Sequence, residues 1–388
     1  MELNEKRVQQ QIRNFEKAIS AYTGQEPLAR FLTRYYKENK QMGSSDRRMT
    51  SRLCYNYFRI GDWKKGASPL DRVVHAEYLC EQESSMVQLL APELHATIKR
   101  PLPEKIALIH ADMHVFFPLV NEISDVIDKQ EFLVSQLIQP DLFVRLKRGN
   151  ERAVLSELEY RQIPFKQLSE QAVALPNGTK LQEMTKVAGL YEIQDLSSQR
   201  TLDDIEALKG EKWWDACAAS GGKALLFLDK YPHIDLLVSD IRLSILRNLD
   251  ERFEKARITV PYRKKIIDLT QDVHYILQGE LFDGIILDAP CSGSGTWGRT
   301  PEMKAQFSEE KLRKFSTLQR TIASNVVQAL KPGKSLTYIT CSVYKSENED
   351  VVDYLVSDHG MAVDKMHVLH GYREKADTMF VARLVKRQ

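Results

Sequence analysis

The sequence predicts an α/β protein whose carboxyl-terminal half is a mainly parallel sheet, preceded by a small α+β segment and an all-α segment. Three observations carry this. From about Gly210 onward, short apolar runs bounded by an acid, Gly or Pro alternate with longer helical stretches. Residues 1–135 show helical spacing and few strand signals, as in Leu28, Phe31, Leu32 and Tyr35, then Val74, Tyr78 and Leu79. Between them, Leu142–Leu146, Ala153–Tyr160 and Phe165–Leu175 read as strand, helix, strand. The expected domains are therefore 1–135, 136–200 and 201–388.

In the last of these the predicted strands are Lys212–Ala216, Leu236–Ser239, Lys265–Ile267, Gly284–Leu287, Ser335–Ile339 and Met379–Leu384. The predicted helices are Lys223–Lys230, Leu243–Lys255, Glu309–Leu330 and Ser346–Ser357. There is no internal repeat and no low-complexity segment. The opening MELNEKRVQQQIRNFEKAIS is charged, without an apolar core, and reads as a first helix, not a signal peptide. The longest apolar runs are too short to span a bilayer, so a soluble protein is expected. Five widely spaced cysteines without a C-x-x-C pair argue against a disulfide framework and a structural zinc site, and fit a reducing cytoplasm. No metal is expected. The net charge of +2 does not announce a nucleic-acid partner, so basic surface must come from clusters such as Arg30, Arg34, Lys37, Lys40, Arg47 and Arg48, or Arg145, Lys147 and Arg148.

In parallel sheets ligands bind beyond the carboxyl ends of the strands, so those ends carry the functional signal. The first ends in Asp215-Ala-Cys-Ala-Ala-Ser-Gly-Gly-Lys223 and runs into a helix. Its small residues allow a sharp turn and a close ligand approach, and the helix start offers free amide donors. The second ends at Asp240, where a carboxylate can accept both hydroxyls of a ribose or simply cap the next helix. Together the turn and the acid favour a nucleoside cofactor without saying which. Asp268, ending the third strand, is a candidate acceptor for an adenine amino group or a turn residue.

The fourth strand ends in Asp288-Ala-Pro-Cys-Ser-Gly-Ser-Gly, and the fifth in Thr340-Cys341-Ser342. If these two strands are neighbours, Asp288, Cys291 and Cys341 converge on one crevice. A thiolate adding to carbon-6 of cytosine turns the ring into an enamine whose carbon-5 attacks an electrophilic methyl group. A protonated Asp288 would stabilise charge on the ring nitrogen, and a second thiol could help eliminate the enzyme from the product. A lone buried cysteine is usually small apolar filler, the reading given to Cys54, Cys80 and Cys217. Cys291 and Cys341 sit instead in polar, Gly- or Ser-rich strand ends.

These motifs resemble the NOL1/NOP2/Sun family of RNA cytosine-C5 methyltransferases, of the bacterial Sun or Fmu type. DACAASGGK (215–223) is similar to the family's cofactor loop, LDAPCSGSGTWGRTPE (287–302) to its Pro-Cys motif, and LKPGKSLTYITCSVYKSENEDVV (330–352) to its Thr-Cys motif. GLYEIQDLSSQ (189–199) and DTMFVARLVK (377–386) resemble its entry segment and closing strand, so the likeness covers roughly residues 140–388. It implies a class I, Rossmann-like methyltransferase domain with a seven-stranded sheet. It implies S-adenosylmethionine held by Cys217, Ala218, Ala219, Ser220, Gly221, Gly222 and Lys223, with Asp240 on the ribose, Asp268 near the adenine and Asp288 beside the methyl group. It assigns Cys341 as nucleophile, Cys291 to product release, and Lys223 to orienting Asp288 or the base.

Residues 136–200 would correspond to a small RNA-recognition-like domain. Residues 1–135 look like the NusB-like helical domain of bacterial rRNA enzymes, with Arg47 and Arg48 contacting phosphate. The implied substrate is small-subunit ribosomal RNA, with transfer RNA as the alternative and a monomer expected. The sequence departs from the family pattern at Ser220, where Pro is usual, and after Asp240 and Asp268. A catalytically weak RNA-binding assembly factor is the rival from another class. A DNA cytosine methyltransferase would attack with Cys291 and leave the Thr-Cys motif unexplained.

Overall fold

The computed structural model describes residues 4–388, so Met1–Leu3 of the expected first helix lie outside the described residues. The chain divides into two units: residues 1–121, 128–139 and 296–309 form one, and residues 122–127, 140–295 and 310–388 the other.

The first unit is helical. Helix Glu5–Ala21 starts where the Asn4 side chain accepts from the Arg7 amide at 3.1 Å. Helix Pro69–Cys80 has Pro at its first turn, and the Ser68 hydroxyl caps the Asp71 amide at 3.1 Å. Phe15, Leu28, Phe31, Leu53, Cys54 and Tyr78 pack together in its core, where Cys54 is the apolar filler expected. The family-like residues 296–309 belong to this unit. The guanidinium of Arg59, buried at the end of helix Ser44–Arg59, donates to the carbonyls of Gln136 at 3.1 Å and Gly298 at 2.9 Å. Lys304 returns the contact to the Arg59 carbonyl at 3.2 Å, and Glu302 accepts from the Leu28 amide at 3.0 Å. Arg48 is exposed, whereas Arg47 is half-buried and donates to the Met42 carbonyl at 2.8 Å.

The second unit holds two sheets. The smaller one has strands β1 (Leu142–Leu146), β2 (Lys166–Gln167), β3 (Ala172–Leu175) and β4 (Tyr191–Ile193) in the antiparallel order β2-β3-β1-β4. Helix Glu151–Tyr160 covers it, and Val144, Leu146, Val154, Leu158 and Val173 form its core. The single strand expected over 165–175 is a hairpin, because Ser169 turns the chain by accepting the Ala172 amide at 3.0 Å. Arg145, expected as basic surface, is buried and donates to Asp229 at 2.9 Å.

The larger sheet contains β5 (Lys212–Asp215), β6 (Asp235–Asp240), β7 (Tyr262–Ile266), β8 (Phe282–Asp288), β9 (Leu330–Thr340), β10 (Met361–His370) and β11 (Thr378–Lys386), ordered β10-β11-β9-β8-β5-β6-β7. β5 to β9 run parallel, and β11 is antiparallel to both β9 and β10. The seven-stranded, mainly parallel α/β sheet is present. β10 has no counterpart among the expected strands; it lies at the sheet edge, and its polar middle is exposed. Winding proceeds from β5 outward through β6 and β7, then back through β8 and β9, so the topological switch falls between β5 and β8.

Candidate active site

A cavity of about 450 Å³ opens at that switch point, lined by Cys217, Ala219, Asp240, Arg242, Asp268, Asp288, Pro290, Cys291 and Cys341 among others. β8 and β9 are hydrogen-bonded neighbours, with Asp288 level with Ile339, so the condition for convergence of the two cysteines is met.

The loop after β5 is fixed by the strand beside it. Trp214 donates to the Ser239 hydroxyl at 2.9 Å, and that hydroxyl donates to the Ala216 carbonyl at 2.8 Å. The Ala218 amide bonds to the Ser239 carbonyl at 2.9 Å. Ala219 adopts φ 46° and Gly221 φ 81°, entering helix Gly222–Lys230 through a left-handed turn. A Cβ at Gly221 would lie 2.7 Å from Phe253 and 2.8 Å from Leu249, so only glycine fits. Ser220 is anchored by Arg252 at 3.3 Å, a residue that also donates to Glu192 at 2.8 Å. The departure from Pro at this position thus comes with its own side-chain tether.

The carboxylates of the site differ in how far they are satisfied. Asp240 is buried and accepts twice on Oδ1 from Arg242, through the amide at 2.9 Å and Nε at 3.0 Å, and on Oδ2 from its terminal nitrogen at 3.1 Å. Asp268 accepts from the Thr270 amide at 3.0 Å and hydroxyl at 2.7 Å, which holds its carboxyl below the usual range. Asp288 pairs with Lys223 at 2.5 Å. Burial works against charge on Lys223, but the Asp288 carboxylate, with Cys341 also near, overrides it and raises its pKa. The lysine therefore keeps its proton.

Asp215, the last residue of β5, was not among the expected site residues. It is 1% exposed, and neither carboxylate oxygen has a hydrogen-bond partner. Burial, followed by the negative charge of Asp288, raises its pKa to about 7, with Lys223 pulling it back. An unpartnered buried acid at a strand end is a strong ligand signal. Its position before the small-residue turn was the only hint in the sequence.

The Sγ atoms of Cys291 and Cys341 stand 3.3 Å apart. Hydrogen bonding to Cys341, then burial, then the negative charges of Cys341 and Glu347 push the Cys291 thiol well above its ordinary pKa. The gap depends on close backbone packing, because a Cβ on Gly295 would lie 2.0 Å from the Thr378 carbonyl oxygen and 3.1 Å from that of Cys341. Burial likewise raises the pKa of the Cys217 thiol, which lines the cavity. Among the described residues no group of His, Cys, Asp and Glu is placed to hold a metal ion, and no helix is long and apolar enough to cross a membrane.

Residues 204–385 match the model of the RsmB/F family of 16S rRNA methyltransferases. Over these residues the chain is similar to that family. RsmB/F proteins are S-adenosylmethionine-dependent methyltransferases, and the matched residues contain Asp215, Asp240, Asp268, Asp288, Cys291 and Cys341. The ribosomal RNA small subunit methyltransferase B of Xylella fastidiosa is 33% identical over 211 residues, covering 51% of this chain and 49% of that protein. The chain spans about half the length of the curated RsmB relatives it first matches. In fold, the crystal structure of PH0851 superposes with a TM-score of 0.74 at 17% identity, over 100% of both chains. A methyltransferase homolog protein from Pyrococcus horikoshii gives 0.58 at 18% identity, over 69% of this chain and 93% of that one.

Proposed function

We propose that this protein methylates carbon-5 of a cytosine in small-subunit ribosomal RNA, as a member of the RsmB/F family, with Cys341 as nucleophile and Cys291 assisting release of the product. The observation that carries it is the pair of thiols 3.3 Å apart in the lining of a cavity that also presents Asp240, Asp268 and Asp288. Small-subunit RNA is the substrate in the names of the family model and of the relative from Xylella fastidiosa.

The residues present fit S-adenosylmethionine. Its amino and sulfonium groups are cationic, and Asp215 is a buried carboxylate without a partner. Asp240 offers the ribose two oxygens once Arg242 yields them, and Asp268 stands on the next strand end toward the adenine. When bound, the cofactor supplies an electrophilic methyl group.

The remaining steps are properties of this chain. Cys341, with Lys223 nearby, is the sulfur that adds to carbon-6. The Lys223–Asp288 pair carries a proton in the crevice, the donor needed as negative charge builds on the ring nitrogen. Cys291, held as a thiol, can donate to the Cys341 sulfur until that sulfur bonds carbon, and is then free to assist elimination. The helical unit and the four-stranded sheet are the proposed RNA-binding parts, with Arg48 among the exposed cations.

The test is transfer of labelled methyl from S-adenosylmethionine to small-subunit ribosomal RNA, followed by digestion to nucleosides. Label in 5-methylcytidine is expected. Label in any other nucleoside would overturn the cytosine assignment, and label only in transfer RNA would replace the substrate.

A further inference from the structure

The Glu-Asn-Glu run after the Thr-Cys motif is not used by the chemistry above, yet its first residue lies at the centre of the polar contacts behind both cysteines. Glu347 closes the 3₁₀ turn Lys345–Glu347 and is fully buried. Its Oε1 accepts the Ser292 amide at 2.7 Å, and its Oε2 accepts the Ser292 hydroxyl at 2.5 Å and the Ser342 hydroxyl. One carboxylate thus holds the residue that follows Cys291 and the residue that follows Cys341.

The residues before each cysteine are tied into the same frame. Gln319, on helix Glu309–Gln328, donates from Nε2 to the Pro290 carbonyl at 3.0 Å and to Glu347 at 3.4 Å. Thr340 donates to the Asn348 side chain at 2.5 Å, and Asn348 donates back to the Ser342 carbonyl at 3.0 Å. Ser294 closes the loop by accepting the Val343 amide at 2.9 Å. Tyr338, within β9, donates to the Glu347 carbonyl at 2.7 Å.

We infer that Glu347 is a positioning residue for the methyl-transfer reaction: its carboxylate locks the Pro-Cys and Thr-Cys loops together and thereby fixes the distance and the distinct roles of Cys291 and Cys341. The inference rests on the reading of these cysteines as the reacting thiols. A buried carboxylate accepting one amide and two hydroxyls is held in one geometry, and that geometry is passed to the adjacent sulfurs through a single residue on each side. Its charge also faces Cys291. The titratable groups turned toward it are Cys291, Tyr338 and Tyr344, whose pKa values its charge helps to raise, whereas Cys341 has Lys223 nearby. Burial raises the pKa of Glu347 itself, and the Ser292 and Ser342 hydrogen bonds pull it back toward the anion. The arrangement favours the thiol form of Cys291, the form its proposed part in product release uses.

The test is the pH profile of thiol alkylation in the full chain. Iodoacetamide labelling of Cys291 and Cys341 is followed by peptide mass spectrometry in wild type and Glu347→Gln, which keeps the shape and removes the charge. Cys291 labelling should accelerate at least fivefold in the variant at mildly alkaline pH, with its profile moved to lower pH. S-adenosylmethionine affinity should change by less than twofold, and in steady-state turnover kcat should fall at least tenfold with KM for RNA within threefold. Superimposable labelling profiles would overturn the inference. If Glu347→Gln fails to fold, Ser342→Ala removes one donor and should show a smaller change in the same direction; an unchanged profile there overturns it equally. The labelling needs no RNA. Altered labelling in a protein whose wild type forms no covalent RNA adduct would therefore reject the proposed function while leaving the positioning of the thiols intact.

Discussion

The two halves of the crevice are built on opposite plans. At the ends of β5 and β6 the charged groups are left with unmet or easily broken partners: Asp215 has none, and Asp240 is held by an arginine two residues away whose side chain is 57% exposed. At the ends of β8 and β9 almost every polar group behind the cysteines is bonded to another part of the protein, with Glu347 and Asn348 at the centre. The first half waits for a charged ligand to complete it, and the second is finished before any ligand arrives. A site that must exchange a cofactor each turnover gains from the former, while one that must hold two sulfurs at a fixed gap gains from the latter.

Substitutions on the two sides should therefore fail differently. The largest effect is expected from Cys341→Ala, which should cost at least ~1,000-fold in methyl transfer with cofactor affinity unchanged, as measured by transfer assay and calorimetry. Asp215→Asn should weaken S-adenosylmethionine binding by ~10–100-fold, the worth of a charged hydrogen-bond partner.

Asp215 also predicts a pH dependence. With its pKa at about 7 in the ligand-free protein, it is neutral below that pH and a carboxylate above it. Affinity for a cationic ligand should rise as pH climbs through 7 and level off above about 8. Stability runs the other way, because the folded-state pKa lies above the ordinary 3.8 and the folded protein holds the proton more tightly than the unfolded chain. Stability should fall as pH rises from 3.8 to about 7, by about 1.4 kcal/mol per pH unit, and change no further above that range. Asp215→Asn should therefore melt higher than wild type at about pH 8 while binding cofactor worse. Equal melting temperatures would count against the unpartnered carboxylate.

Gly221→Ala adds a Cβ against Leu249 and Phe253 at positive φ and should cost about 1–3 kcal/mol of stability by denaturant melt. The smallest change is expected from Arg242→Ala. Freeing Asp240 from an exposed ion pair should tighten cofactor binding by only ~2–5-fold, and weaker binding would assign the arginine to the ligand instead.

The parallel sheet and the residues that line its crevice were legible because each core strand is a short apolar run closed by a distinctive residue, Asp240, Asp288 or Cys341. β10 was not, since an edge strand with Asp364 and Lys365 exposed carries no buried alternation. The first three residues of β7, Tyr262 to Lys264, were missed for the same reason, as this strand lies at the opposite edge. Asp215 could be read as a strand end, but its lack of partners depends on groups distant in sequence. The grouping of residues 296–309 with the helical unit rests on Arg59, Lys304 and Glu302, contacts more than 200 positions apart that no local pattern encodes.

The division of labour between the two thiols is tested most directly by covalent capture on small-subunit RNA carrying 5-fluorocytosine, in the presence of S-adenosylmethionine. Capture by wild type and by Cys291→Ala, with none by Cys341→Ala, is the result predicted. Capture that survives Cys341→Ala and disappears in Cys291→Ala would contradict it.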